Sequence, residues 1–433
     1  MYFQANIHAP APGLKSPTYN TALKKTSAYL NSLARHDAFK SIPHFKPLFA
    51  PPDELISELT LKLDQAFSDV LILGTGGSSL GAQVFNAFAD KSPEMARRSL
   101  RIHFPDNLSE DSLNILAAMD VSRTHFIVIS KSGSTPETLA QLAICLQNVN
   151  ENVVSSDIQK HFTFVTSCAP SPLRNVAAEW SFPIVEHPDD LSGRFSAFSA
   201  VGMLPAAIAG LDLGKIITGA RQMLTEIMHS QGPGRTAFSQ NIALQYMMYK
   251  EYAVRQTVTM CYDNRLICYM RWFAQLWSES LGKDGQGLTP ISALGPRDQH
   301  SQLQLFLDGP CDKYYTVIYQ ESPECPTSQT IHHGIFGDKQ TAYMNGISIN
   351  DMVVAEAKAT IQSMIEKKRT VRVISAQHFD ITNIAALMAS AMLETMTMAH
   401  LIGVEAFDQP AVNRSKELTS HFLINKQPIK PAH

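Results

Sequence analysis

Gln275 and Glu279 stand four residues apart in RWFAQLWSESLGKDGQG, so an α-helix puts both side chains on one face. Phe273, Leu276, Trp277 and Leu281 recur at helical spacing and give that helix its apolar stripe. Lys283 opens the KDGQG turn, where Gly285 and Gly287 can take backbone conformations closed to other residues. Asp298-Gln299-His300 follows. A carboxylate on an aromatic-rich helix, with a histidine beyond the next turn, suits proton transfer. Taken alone, the same residues also read as an exposed glutamate and a satisfied loop histidine.

Two other stretches could hold an anion. Gly74-Thr75-Gly76-Gly77-Ser78-Ser79 follows an apolar run and opens a helical one, so backbone N–H groups and the positive helix end can receive negative charge. It is not the dinucleotide fingerprint, because Ser79 stands where the third glycine is required. A tight turn is the plain alternative. Ser130-Lys131-Ser132-Gly133-Ser134-Thr135-Pro136-Glu137-Thr138 is more specific: hydroxyls and a lysine crowd a strand-to-helix turn, with Pro136 and Glu137 in the first helical turn. Such groups hold a phosphate monoester without a metal. Helix capping explains one of these hydroxyls but not all of them with a lysine. Gly193-Arg194-Phe195-Ser196 follows an acidic pair, Asp189-Asp190. Its arginine is either a structural ion-pair partner or a cation placed to hold a developing enolate oxygen.

The elements that must position these loops form a rhythm. SDVLILG, LRIHFP, THFIVIS, HFTFVT and FPIVEH are short apolar runs alternating with helical patterns, which signals a parallel, doubly wound α/β sheet. Loops at the carboxyl ends of neighbouring strands converge there, where ligands bind in this architecture. A second, looser α/β unit has TVTMCY, YYTVIY and TVRVIS as strand candidates, and two units of similar size suggest a duplicated domain. Residues 1–50 are proline- and serine-punctuated, with one amphipathic segment from Thr21 to Leu33, and read as an arm packed on something else. Gln320 to Ile349 has no readable pattern. The last segment, from Phe407, is polar and ends in prolines, as expected of a tail laid over a surface.

With 433 residues the chain can form two or three domains with full cores. A net charge of −3 gives no electrostatic footprint for nucleic acid or an anionic membrane. Cys145, Cys168, Cys261, Cys268, Cys311 and Cys325 include no CxxC pair, which fits reduced thiols in a cytosol. MYFQANIHAP lacks the basic and apolar regions of a signal peptide. Ser196–Gly214 and Ile381–Phe407 are apolar enough to test as membrane spans. Pro205 and glycines break the first, and Asn383, Glu394 and His400 interrupt the second, so both read as buried helices.

GTGGSSLG, SKSGSTPET, GRFS, QLWSESLGKDG, DQHS and FDQPAVNRSK occur in the order seen in phosphoglucose isomerases. The chain resembles that family, in its short bacterial form, over roughly residues 55–420. SKSGSTPET marks the wider sugar-isomerase (SIS) class, and the Glu279 and FDQxxVxxxK motifs narrow it. Departures are small: Ser192 stands where glycine is usual before GR, and Ala411 and Asn413 replace the usual glycine and glutamate of the tail motif. The resemblance implies two doubly wound, parallel-sheet SIS-type domains of three α/β/α layers. These would be residues 51–215 with the phosphate loops and 216–405 with Glu279 and His300, flanked by the arm (1–50) and a tail (406–433) carrying Lys416.

The same resemblance implies interconversion of glucose 6-phosphate and fructose 6-phosphate by a cytoplasmic homodimer, without cofactor, metal, nucleic acid or membrane. Gly77, Ser78, Ser130, Lys131, Ser132 and Thr135 would hold the sugar phosphate. Glu279 would shuttle a proton between C1 and C2, and Arg194 would stabilise the cis-enediol. His300, supplied by the other subunit, and Lys416 would help open the ring, with Gln275 and Gln409 bordering the sugar and phosphate. A carboxylate able to take a proton and return it suits that shuttle. A metal-assisted hydride shift would want clustered ligands. His332-His333 is the one adjacent histidine pair and reads as loop. A regulator that only senses sugar phosphates would leave Glu279, His300 and Lys416 without a task. Dual glucose/mannose specificity stays open, and the isomerase half of an amidotransferase lacks its N-terminal cysteine.

Overall fold

Asp69-Val70-Leu71-Ile72-Leu73 is buried along its whole length, and its side chains divide between two cores with the two-residue period of a strand. Val70 and Ile72 face one way, Leu71 and Leu73 the other. The computed structural model describes residues 3–9, 16–50, 54–89, 100–110, 119–155, 157–230, 232–321, 329–334 and 337–425. Its strands are β1 (Gln4–His8), β2 (Asp69–Leu73), β3 (Arg101–His103), β4 (Thr124–Ile129), β5 (Phe162–Thr166), β6 (Ile184–Glu186), β7 (Gln256–Cys261), β8 (Thr289–Leu294), β9 (Lys313–Gln320) and β10 (Val371–Ala376).

Two five-stranded sheets result. The first runs β3-β2-β4-β5-β6 and is parallel throughout. The second runs β1-β10-β9-β7-β8 and is parallel except for β1, which pairs antiparallel with β10 from Gln4↔Ser375 to His8↔Val371. Counted from the first strand of each unit, four strands share one order: second, first, third, fourth. The fifth place is filled by β6 in one sheet and by the N-terminal β1 in the other. That repetition is what a duplicated α/β unit predicts.

All five apolar runs of the first unit form strands. The second unit has two more than its sequence pattern suggests. β8 escapes notice because Pro290 lies inside it and its first four residues are half-buried or exposed, as befits an edge strand. β1 escapes because QANIH is short and buries no residue fully.

One continuous core lies between the sheets. It takes Val70, Ile72 and Ile127 from the first, and Tyr314, Ile318 and Ile374 from the second. Separate cores cover the outer faces, around Phe126 and Phe164 on one side and Tyr315 and Val317 on the other. Both apolar stretches tested as membrane spans sit in the central core, within the helices Ala200–Ile208 and Ile381–Ile402. The longer helix starts at Asp380, whose carboxylate accepts from the Asn383 N–H at 2.8 Å, and ends at Gly403 in the left-handed region (φ 87°). Its buried Glu394 is paired with Arg372 at 2.7 Å and accepts from Gln245 at 2.7 Å. The arm's amphipathic segment is the helix Pro17–Ala34. The tail forms the helix Ala411–Asn425, none of whose residues is buried. Cys145, Cys168, Cys261 and Cys311 are free thiols, and Cys325 lies outside the described residues.

Candidate active site

Five segments meet at the carboxyl edge of the first sheet. The loop after β2 makes a short turn at Gly76–Ser78, where Gly77 has no room for a side chain and Gly76 takes the left-handed region at φ 56°. A Cβ on Gly77 would stand 2.3 Å from the carbonyl carbon of Gly193 and 2.6 Å from the nitrogen of Arg194. A Cβ on Gly76 would stand 2.8 Å from Gln275 Nε2. The anion loop thus touches both the arginine turn and the helix Leu266–Leu281, which carries Gln275 and Glu279. The Ser196 hydroxyl seals the first junction, reaching the Gly77 carbonyl at 3.2 Å and that of Gly193 at 2.6 Å.

Arg194 is the hub. Its side chain is 2% exposed, and all five of its N–H donors are engaged. Nε donates to Ser280 Oγ at 2.8 Å, and Nη2 to the carbonyls of Ala406 (2.5 Å) and Asp408 (2.9 Å). Nη1 makes the two longest bonds, to Glu279 Oε2 at 3.4 Å and Gln409 Oε1 at 3.3 Å. Burial pulls the guanidinium pKa down from its ordinary value, against the opposing charges of Glu279 and Asp408. Glu279, 28% exposed, also accepts from Gln275 Nε2 at 2.9 Å through Oε1. The Gln275 side-chain oxygen is buried with no hydrogen-bond partner among the described residues.

The loop after β4 lies alongside, since β2 and β4 are neighbours. Ser130 is buried and its hydroxyl is 3.0 Å from that of Thr135, the residue before the helix Pro136–Asn152. Ser132 is exposed and accepts from Ser134 N at 3.4 Å. Lys131 is half-buried. Burial lowers its pKa and Arg194 acts in the same direction, while Asp189 and Asp190 oppose them.

Gly77, Arg194, Gln275, Glu279 and Gln409 are therefore brought together within one chain, beside Ser78, Ser130, Lys131, Ser132 and Thr135. His300 and Lys416 stand outside these hydrogen bonds. Both are exposed, and among the described residues neither hydrogen-bonds to the Arg194–Glu279 group. Sequence reasoning missed Ser280 as a partner of Arg194, although it adjoins Glu279. It also missed that Lys283 holds the tail loop, through Asp408 at 2.9 Å and the Glu405 carbonyl. Such contacts, more than eighty positions apart in the chain, leave no local signal.

Two sheets that share one strand order, parallel except for β1, with a hydroxyl-rich loop at a carboxyl edge, define a doubly wound α/β fold of the kind that binds its ligand at the strands' carboxyl ends. Comparison with known proteins narrows the class. The family described as phosphoglucose isomerase matches residues 60–430. A glucose-6-phosphate isomerase of Thermus thermophilus is 34% identical over 357 residues, covering 81% of this chain and 83% of that protein. The crystal structure of a hypothetical protein, also from Thermus thermophilus, superposes with a TM-score of 0.80 at 30% identity, covering 97% of this chain and all of that one. A glucose-6-phosphate isomerase from Chlamydia trachomatis, at 21% identity, shares the fold with a TM-score of 0.69 over 89% of this chain and 75% of its own. The chain belongs to the phosphoglucose isomerase family, which is a family of aldose–ketose isomerases.

Proposed function

We propose that this chain interconverts glucose 6-phosphate and fructose 6-phosphate by proton transfer through a cis-enediol, without a metal. The observation that carries this reading is the placing of Glu279, with one oxygen on Gln275 and the other on a buried arginine, against the anion loop. The phosphate is held by Ser78, Ser130, Ser132 and Thr135, with backbone from Gly77 and Lys131, and this fixes which carbons reach the carboxylate. Glu279 takes the C2 proton of the open-chain aldose and returns it to C1. Charge developing on the substrate oxygen is met by Arg194 Nη1, whose two long bonds are the ones most easily exchanged for a substrate oxygen. The remaining three donors keep the guanidinium in place, so little reorganisation accompanies the chemical step. The unpartnered Gln275 oxygen is available to a sugar hydroxyl.

His300 and Lys416 assist ring opening, and Gln409 borders the sugar. His300, exposed and with no hydrogen bond to Glu279 among the described residues, acts in the site of the other subunit of a homodimer. In this reading residues 51–215 carry the phosphate loops, 216–405 supply Glu279 and His300, and 406–433 form the tail with Lys416. The protein works in the cytoplasm, in glycolysis and gluconeogenesis.

Fructose 6-phosphate converted in D2O should acquire deuterium at C2 of the glucose 6-phosphate formed, read by NMR, with activity retained in excess EDTA. Complete internal transfer of a C1 label with no solvent wash-in at any temperature would overturn proton shuttling. Turnover of mannose 6-phosphate at a comparable rate would establish dual specificity.

A further inference from the structure

His44 belongs to the N-terminal arm and to none of the motifs behind the functional reading, yet it is 3% exposed next to the arginine turn. Its ring lies flat on Phe407, with centroids 3.9 Å apart and planes 7° from parallel. It is edge-on to Phe195 at 4.8 Å, and Phe195 meets Phe407 at 5.3 Å. Nε2 accepts the backbone N–H of Ser192 at 3.3 Å, which leaves Nδ1 as the protonated nitrogen of the neutral ring. Burial, with the Arg194 charge beside it, pushes the pKa down to about 4, so the ring is neutral around pH 7. The Ser192 hydroxyl donates to the Phe407 carbonyl at 3.0 Å and lies 3.3 Å from the same Nε2.

Three distant stretches are joined here, two residues from the chemistry on each side: Ser192 precedes Arg194 by two and Phe407 precedes Gln409 by two. Packing alone does not account for the choice of side chain. Nδ1 is buried with no partner among the described residues, a cost that a phenylalanine in the same stack would avoid. Ser192 contributes a hydroxyl to this junction, donated to the Phe407 carbonyl.

We propose that His44 and Ser192 are positioning residues, which clip the 404–409 loop to the Gly193–Phe198 turn and so keep Gln409 and Arg194 in register during turnover. Neither touches the substrate. The arm thereby has a task at the site. The inference rests on the roles given above to Arg194 and Gln409.

The test uses the full-length protein with Ser192→Ala, Ser192→Thr, His44→Phe and His44→Gln. It reads kcat and KM for fructose 6-phosphate, the inhibition constant of 6-phosphogluconate as an open-chain phosphate, and amide hydrogen exchange over 404–409. Ser192→Ala should lower kcat about threefold to tenfold, the contribution of one intramolecular hydrogen bond. It should also speed exchange over 404–409 and leave the inhibition constant unchanged. Ser192→Thr, which keeps the hydroxyl, should restore both properties. His44→Phe keeps the stack and the melting temperature but should lose kcat as Ser192→Ala does, with partial recovery in His44→Gln, whose amide oxygen can accept the Ser192 N–H. Wild-type kcat in both Ser192→Ala and His44→Phe would overturn the proposal, whatever the exchange rates. Unchanged exchange over 404–409 with a lowered kcat would overturn the clip as its cause. If the isomerase reading itself were wrong, the wild-type chain would not turn over fructose 6-phosphate at all, a result separate from the exchange data.

Discussion

Within this one chain, the Arg194–Glu279 group and the pair His300 and Lys416 differ in almost every physical respect. Arg194 is buried, has every donor engaged, and ties the arginine turn to Ser280, Glu279 and the tail loop. His300 and Lys416 are open to solvent, and Lys416 sits on a helix with no buried residue. The first group is built for a step in which charge develops, where fixed dipoles and charges are worth most in a dry setting. The second suits a step that needs another surface to be complete. Under the proposed function, the exposed half is the one that a second copy of the chain would complete.

The sharpest break of that contrast is a pair of variants. Glu279→Gln keeps the shape and the hydrogen bond to Gln275 but cannot take a proton, and kcat should fall by ~10²–10⁴-fold. The binding constant of 6-phosphogluconate should stay within a few-fold, because the phosphate loops are intact. Loss of both together would count against a proton shuttle. Glu279→Gln mixed with His300→Ala, both inactive alone, should regain activity after subunit exchange. Random C2 pairing makes half the dimers mixed with one whole site each, so roughly a quarter of the wild-type sites return. No recovery after proven exchange would place His300 in its own subunit's site, or nowhere.

The sequence was readable where one element carries its own signal. β2, β4 and β5 are buried on both faces, so unbroken apolar runs announce them, and glycines or hydroxyls at their carboxyl ends mark the anion loops. Gln275 and Glu279 were legible because helical spacing alone puts them on one face. β8 was not, since an edge strand with an internal proline lacks the period and the burial that identify a strand. Nor were Ser192, Ser280, Lys283 and His44 in the roles they take here. Each acts through contacts with segments far away in the chain, and only the folded arrangement of the tail loop defines them.

A smaller effect should separate chemistry from stability on the exposed side. Lys416→Met removes a cation proposed to help ring opening, and a hydrogen bond to a charged group contributes about 1.5–3 kcal/mol, or roughly 10–100-fold in rate. The melting temperature should not move, since surface substitutions of this kind stay within about 0.5 kcal/mol. A drop in melting temperature matching the drop in rate would show that the tail helix is a structural prop rather than part of the site.

The least effect is expected at Asp408, where the comparison can be made within a single loop. Its side chain is 55% exposed and its salt bridge to Lys283 spans 2.9 Å, whereas its backbone carbonyl is held by buried Arg194. Solvent screens the first interaction and not the second, so Asp408→Asn should cost at most about 1 kcal/mol. Lys283 keeps its bonds to the Glu405 and Ser280 carbonyls in that variant, and Arg194 keeps those to Ala406 and Asp408. Thermal melts and kcat for fructose 6-phosphate, taken at low and high salt, check this. Both should shift little, and the shift should shrink as salt rises. A large loss of turnover that persists at high salt would mean that the Asp408 carboxylate itself belongs with Arg194 and Glu279, and the line between the buried and exposed halves of the site would have to be redrawn through the tail loop.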